Sequence, residues 1–285
     1  STQAKTLFPY TTLFRSVIHH DCGAATELVA EKLGITEVVT TISTACSSAA
    51  NAMIYAARLI RNGYLDWAIA GGTDALSRFT INGFNSLMIL DKRTMHPFDA
   101  QRGGVNLGEG AAFVVLESEE MITKYNKKPL VELTGYSNSN DAFHQTASSP
   151  DGDGALLSMS RAIAMAGVEP KAVDYINCHG TGTENNDLSE ALAIQKLFQE
   201  HVPYFSSTKP YTGHTLAAAG SVEAVFSILS IQNNVLFPNL NFENQMPEIS
   251  ISPLKELMQN VEVKHVLSNS FGFGGSNTSL LFSKV

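Results

Sequence analysis

A β-branched run that stops at a short polar corner and gives way to an Ala-rich helical pattern is the feature that most constrains this chain. Residues 38–42, Val-Val-Thr-Thr-Ile, read as a buried strand, and residues 49–60 read as a helix with Ala, Met, Ile and Leu on its buried side. Between them lies Ser43-Thr44-Ala45-Cys46-Ser47-Ser48, which puts Cys46 at a strand-to-helix corner. There the free N–H groups of the first helical turn and the positive end of the helix dipole favour thiolate over thiol. The same N–H groups can hold an oxyanion formed when the sulfur attacks a carbonyl. Taken alone, such a cysteine is more often a small buried hydrophobe.

The alternation continues along the chain. A helix is expected at 24–33, a strand at 67–70 ending at Gly71-Gly72, and strands at 111–116 and 130–136. Next come a helix at 155–166, a strand at 173–178, a helix at 188–198, a strand at 204–206 and a helix at 216–231. Strands at 263–268 and 278–282 close the series. Alternation of this kind specifies α/β layers, with a loose strand-helix-strand recurrence in each half. With 285 residues, 44% hydrophobic and 16% charged, the chain can bury one large core or two packed halves. It shows no apolar run of about 18 residues and no basic-then-apolar opening, so a cytoplasmic setting without a membrane span is the expectation.

Three cysteines, Cys22, Cys46 and Cys178, are an odd and scattered set that argues against a disulfide framework or a zinc cluster. His19-His20-Asp21-Cys22 lacks a partner cluster, and no metal site is expected. A net charge of −8 disfavours nucleic acid, and an acidic partner would need a local basic patch. Arg58, Arg61, Arg78, Lys92, Arg93 and Arg102 are the candidates, each as readily a solvated surface residue.

Three polar motifs stand at the ends of expected elements. His179 follows the strand 173–178 and opens Gly180-Thr181-Gly182-Thr183. His214 ends Ser207-Thr208-Lys209-Pro210-Tyr211-Thr212-Gly213-His214, just before an Ala-rich helix. The third is Asn269-Ser270-Phe271-Gly272-Phe273-Gly274-Gly275, whose glycines permit close backbone approach. A lone histidine at a strand end is more often structural, and a lone Gly-rich loop is often only a turn. All of them at α/β element ends, where ligand sites form, point to a shared site.

With TACSS, NCHGTGT, SSTKPYTGH and SNSFGFGGSN in this order from about Cys22 to Phe282, the chain resembles the type I/II β-ketoacyl-acyl carrier protein synthases of the thiolase superfamily. The resemblance implies a thiolase-like layered αβαβα fold with two related halves, the N-terminal half incomplete. It implies that Cys46 is the acyl-accepting nucleophile and that His179 and His214 drive decarboxylation of malonyl-carrier protein, with Lys209 organising the pair. Thr181 and Thr183 match threonines that bind the pantetheine arm, and Asp187 with Glu190 match an acidic pair behind the histidines. Phe273 matches the gatekeeper beside the acyl pocket, its N–H joining that of Cys46 in the oxyanion hole. Gly272 and Gly274 flank that gate, and His144 falls in a loop that resembles one moving with it.

The implied reaction is a decarboxylative Claisen condensation without a cofactor of the protein's own, phosphopantetheine arriving on an acyl carrier protein. A homodimer or a ketosynthase heterodimer is implied as the assembly. Degradative thiolases carry a second cysteine in the loop where this chain has Gly272-Phe273-Gly274, and the type III synthases carry an asparagine in place of His214. Non-condensing chain-length partners lack the nucleophile. The alternatives are a catalytically idle truncated fragment or carrier-protein-binding partner, and a cysteine hydrolase, which needs only one base.

Two stretches depart from the family pattern. Glu184-Asn185-Asn186-Asp187 replaces a proline-containing stretch and is closer to polyketide and aryl-polyene ketosynthases, while His96 stands where arginine is frequent. Residues 6–16, TLFPYTTLFRS, resemble the conceptual translation of a sequencing adapter, so 1–16 is read as non-native sequence. The expected organisation is then 17–128 as the remainder of the N-terminal half, carrying Cys46, and 129–285 as the C-terminal half, carrying both histidines. A sheet lacking its first strands exposes edges and apolar faces, so low solubility or inactivity of this chain on its own is expected.

Overall fold

The computed structural model describes residues 21–285; the segment read as non-native and the His19-His20 pair lie outside them. The chain divides into two compact units, one ending at Ser43 and one spanning Thr44–Val285.

In the first unit, α1 (Ala24–Leu33) forms where the sequence places it and ends at Gly34, whose φ of 66° lets its N–H return to the Ala30 and Glu31 carbonyls. The run at 38–42 does not form the expected strand. A strand exists only by hydrogen bonding to a neighbour, and among the described residues this run has no ladder partner. Val38 and Val39 are 48% and 41% exposed.

The second unit is built on a five-stranded sheet in the order β3 (Glu132–Asn140), β9 (Ser276–Ser283), β8 (His265–Gly272), β4 (Tyr175–Asn177) and β5 (Tyr204–Ser206). β4 runs parallel to both β5 and β8, whereas β9 is antiparallel to β8 and β3. β8 and β9 are buried along nearly their whole length, as strands covered on both faces must be. One face, with Leu267 and Leu281, packs with α5 (Asp153–Ala166) and α6 (Glu184–Phe198) around Met159, Ile163 and Ile194. The other, with Val266, Leu280 and Phe282, packs with α2 (Ser48–Arg61) and α8 (Ala219–Asn233) around Met53, Ile54 and Ile231.

Beyond α2 and α8 lies the antiparallel pair β1 (Trp67–Asp74) and β2 (Gly110–Glu117). The unit is therefore layered sheet, helix, sheet, helix, four of the five layers of the expected thiolase-like αβαβα arrangement. The outer face of the β1–β2 pair leaves Trp67, Phe113 and Val115 exposed. Leu216–Asn233 is long and apolar enough to invite comparison with a membrane span, but more than half of it is buried inside the protein and it carries an ion-paired Glu223.

Two elements differ from expectation. Gly71-Gly72 lies inside β1 rather than ending it, because a side chain at 72 would come within 3.0 Å of Ala49 Cβ and hold β1 off α2. The helix α3 (Arg78–Ser86) was not legible: it is short, its Thr80, Asn82, Gly83 and Asn85 are weak helix formers, and its apolar Phe79 and Ile81 are exposed.

The α2–α8 contact is close-packed. A Cβ on Gly220 would lie 2.9 Å from Ala50 Cβ, Ala50 N and Ser270 Oγ, so only glycine permits this approach. Gly220→Val is expected to destabilise the fold by about 1–3 kcal/mol through overpacking; an unchanged urea midpoint would contradict this packing.

Candidate active site

Cys46 sits at a tight corner two residues before α2 rather than within its first turn. The corner needs a left-handed residue, Ala45, at φ 52°, a conformation that costs a non-glycine residue energy and must be held by its surroundings. Three side chains hold it. Ser48 Oγ accepts from Thr44 N (2.9 Å) and donates to the Ala45 carbonyl (2.6 Å), Ser47 Oγ donates to the Thr44 carbonyl (2.8 Å), and Asn51 Nδ2 donates to Thr44 Oγ1 (2.9 Å).

The thiol is not poised as the corner suggested. Burial pushes Cys46 up to about 11, outweighing the Lys209 charge and the backbone N–H groups of Phe273 and Cys46 that pull the other way. The reason is magnitude: removing a thiolate from water costs more than a few aligned N–H dipoles return. Cys46 therefore rests as a thiol.

His179 and His214 are delivered to the same point from two directions. His179 follows the parallel strand β4, and His214 follows the short helix α7 (Lys209–Thr212) after Gly213 at φ 70°. The 104–108 segment fixes His214: its N–H donates to the Asn106 carbonyl (2.7 Å) and its carbonyl accepts from Gly108 N (2.9 Å). Cys46, His179 and His214 each present a sulfur or nitrogen within 4.8 Å of the others. The two imidazoles meet edge to face, with centroids 5.4 Å apart. All three line a cavity of 470 Å³.

Buried behind them is Lys209, whose Nζ lies 3.3 Å from His179 Nδ1, donates to the His179 carbonyl and pairs with Glu223 Oε1. Glu223 Oε2 also accepts from Ser270 Oγ at 3.3 Å. Because an ammonium can only donate, His179 Nδ1 must accept, and its own proton belongs on Nε2. Burial first, then the Lys209 charge, holds both histidines well below the usual imidazole range. Both are neutral at pH 7. Among the described residues neither nitrogen of buried His214 has a hydrogen-bond partner.

The turn after β4 is held from α6. Glu190 accepts from His179 N and Gly180 N, both at 2.9 Å, and from Asn269 Nδ2 at 3.0 Å. Asp187 accepts from Phe98 N at 2.7 Å and from Gly182 N at 3.2 Å. Both are buried, as residues supporting the histidine turn from behind should be. Thr181 and Thr183 share a 2.9 Å hydroxyl contact and line the cavity. Gly272 and Phe273 line it as well, with the Phe273 ring stacked 5.9 Å from Phe84 of α3.

His144 is not brought to the cavity wall: its Nδ1 accepts from Thr146 N (3.1 Å) within its own loop. Gly274 joins that loop to the glycine turn, donating to the Gln145 carbonyl at 2.7 Å. Sequence reasoning missed Glu223, although an acid in an otherwise apolar helical run was a signal that a buried cation needed a partner. It also missed Asn106 and Phe84, which lie in segments without periodicity.

The residues quoted in sequence thus converge on a buried thiol, two neutral imidazoles and a lysine that orders one of them, a set of groups able to support chemistry at a thiol. Profiles of the families described as beta-ketoacyl synthase, N-terminal domain, and beta-ketoacyl synthase, C-terminal domain, match residues 12–121 and 130–243. A mitochondrial 3-oxoacyl-[acyl-carrier-protein] synthase of Arabidopsis thaliana is 40% identical over 256 residues, 85% of this chain and 55% of the relative. A 3-oxoacyl-[acyl-carrier-protein] synthase 2 of Rhizobium meliloti is 41% identical over 253 residues, 85% of this chain and 60% of the relative.

Among solved structures, a chain of AntDE:AntF, a type II PKS acyl-carrier protein in complex with its ketosynthase, superposes with a TM-score of 0.89 at 30% identity. That match covers 93% of this chain and 67% of the other. A chain of the ketosynthase ApeO in complex with its chain length factor ApeC from Xenorhabdus doucetiae gives 0.85 at 38% identity, covering 93% and 65%. The chain belongs to the beta-ketoacyl synthase family. It spans 55% and 60% of the length of the two curated relatives named.

Two outcomes follow from the buried charges. Lys209→Met strands Glu223 without a counter-charge and is expected to cost about 3–5 kcal/mol in chemical denaturation, most of it recovered in Lys209→Met/Glu223→Gln; additive losses in the double variant would contradict the pairing. Burial also pushes the Glu190 carboxyl from 4.5 up to about 7, against its N–H donors. Between those values the folded chain holds a proton the unfolded chain has lost, so this group makes stability fall as pH rises through the window. Glu190→Gln should flatten that slope; an unchanged slope would remove the assignment.

Proposed function

We propose that the whole protein of which this chain is part is a decarboxylating condensing enzyme, extending an acyl chain with malonyl units in fatty-acid, polyketide or aryl-polyene synthesis. The observation that carries this reading is the sharing of one cavity by a thiol and two neutral imidazoles within 4.8 Å, with both His214 nitrogens unpartnered among the described residues. A hydrolase needs one base. Two neutral N–H donors are what a developing enolate needs.

In the proposed sequence, the Cys46 thiol attacks an acyl thioester, its proton passing through a neutral imidazole to the departing pantetheine sulfur. The resting thiol makes this transfer necessary. Malonyl thioester then enters, its carboxylate C–C bond breaks, CO₂ leaves, and the electron pair is delocalised onto the thioester oxygen. His179 Nε2–H and an N–H of His214 stabilise that oxygen in a buried site. The carbanion attacks the Cys46 acyl carbonyl, whose oxyanion takes the N–H groups of Cys46 and Phe273. The C–S bond breaks, its electron pair leaves on the Cys46 sulfur, and the thiolate takes a proton from solvent, which restores the thiol.

Thr181 and Thr183 are assigned to the pantetheine arm, Phe273 with Gly272 and Gly274 to the gate, and His144 to the loop that moves with it. An acyl carrier protein is the proposed donor, supported by the similar ketosynthase of the AntDE:AntF complex, which is bound to its acyl-carrier protein. Assembly as a homodimer, or with a chain-length-factor-like partner as in another neighbour, and a cytoplasmic setting complete the proposal. No resident cofactor or metal is part of it. Cys46, His179 and His214 have the spacing of a ligand set, but the Lys209 ammonium beside His179 opposes a second cation there.

Cys46→Ala should lower condensation by at least about a thousand-fold while sparing CO₂ release from malonyl-carrier protein, and His179→Ala should stop CO₂ release while sparing Cys46 acylation. Release of radiolabelled CO₂ from malonyl-carrier protein and intact-protein mass spectrometry of acylated Cys46 read the two steps separately. Unchanged condensation in Cys46→Ala would overturn the reading.

A further inference from the structure

One wall of the cavity is not part of either sheet or helix. The loop 141–149 supplies it: Thr146, Ala147 and Ser148 line the cavity, and the exposure of Thr146 and of the neighbouring Asn185 puts this wall at the solvent-facing rim. Near its start the loop is tied to the glycine turn, with Asp141 N donating to the Gly275 carbonyl (3.0 Å) and Asn277 Nδ2 to Asp141 Oδ1 (2.8 Å). Its far end is held by α6. Asn185 Oδ1 accepts from Ser148 N at 2.7 Å, and Asn185 Nδ2 donates to the Ser148 carbonyl at 3.2 Å. One turn further along the same face, Ser189 Oγ donates to the Ser149 carbonyl at 2.8 Å.

A primary amide is the side chain that can both give and take a hydrogen bond against one residue's backbone, as a neighbouring strand would. Asn185 does this while itself lining the cavity and remaining exposed, so its removal empties no core. It also lies in the stretch where this chain departs from the family pattern. The helix that carries it holds the histidine turn through Asp187 and Glu190, so one rigid element fixes both the reactive groups and the entrance.

We propose that Asn185 is a specificity-determining clamp, which fixes the Ser148 wall of the cavity mouth and thereby limits the bulk of the acyl thioester that reaches Cys46. Releasing it frees residues 146–148 between the anchors that remain at Gln145 and Ser149, and widens the entrance without altering Cys46, His179 or His214. This consequence for substrate choice rests on Cys46 being the acyl acceptor; the clamp itself does not.

The test is alkylation at Cys46, quantified by peptide mass spectrometry so that Cys22 and Cys178 do not contribute, with iodoacetamide as the small reagent and N-phenylmaleimide as the bulky one. In Asn185→Ala the bulky rate should rise about five-fold, the scale of one or two exposed hydrogen bonds, with the small rate unchanged. Asn185→Asp keeps the acceptor for Ser148 N, loses the donor, and should fall between. Hydrogen exchange of 141–149 should quicken in step. Unchanged rates for both reagents, or equal rises for both, would overturn the clamp, the second showing general loosening instead. Because alkylation reads access whether or not the chain condenses, failure here leaves the condensing reading standing, and failure of condensation leaves the clamp testable.

Discussion

Everything at the centre of this molecule depends on one buried ammonium. Lys209 touches the ring and the carbonyl of His179 and is compensated by Glu223, which α8 presents from the opposite side. Such a pair is not a cheap source of stability, since both charges leave water. Its effect is directional. It dictates which nitrogen of His179 is protonated, adds to the burial that keeps both imidazoles uncharged, and ties β4, α7 and α8 to one point.

The backbone around that point accepts strain in return for geometry. Ala45 before the thiol, Phe98 against Asp187 and Leu216 just after His214 all adopt positive φ without being glycine. Each is pinned nearby by buried side-chain or main-chain bonds, and each lies at or next to a group that shapes the cavity. Rigid layers supply the pinning: α2 and α8 in close contact at Gly220, and α6 behind the histidine turn.

Much of this was legible from residue order. Periodicity located most strands and helices of the second unit to within a few residues, because their apolar positions are the ones the layers bury. The run at 38–42 misled, since β-branched residues state a preference that only a partner strand can satisfy. α3 was silent because it is short and rich in weak helix formers, Thr80, Asn82, Gly83 and Asn85. Motif reading brought Cys46, His179, His214 and Lys209 together correctly, yet the charge state of the thiol was misjudged: first-turn N–H groups are visible in sequence, whereas depth of burial is a property of the assembled layers. Asn185 was noted only as a departure, and its contact with Ser148 spans two elements that no local pattern links.

The most direct test of this account is a ¹⁵N NMR titration of the imidazoles. Both His179 and His214 are expected to stay neutral as the pH falls through the ordinary histidine value, with His179 protonated on Nε2. An imidazolium signal from either residue appearing near the ordinary histidine value of about 6.5, or a His179 proton on Nδ1, would contradict the arrangement from which the chemistry is derived.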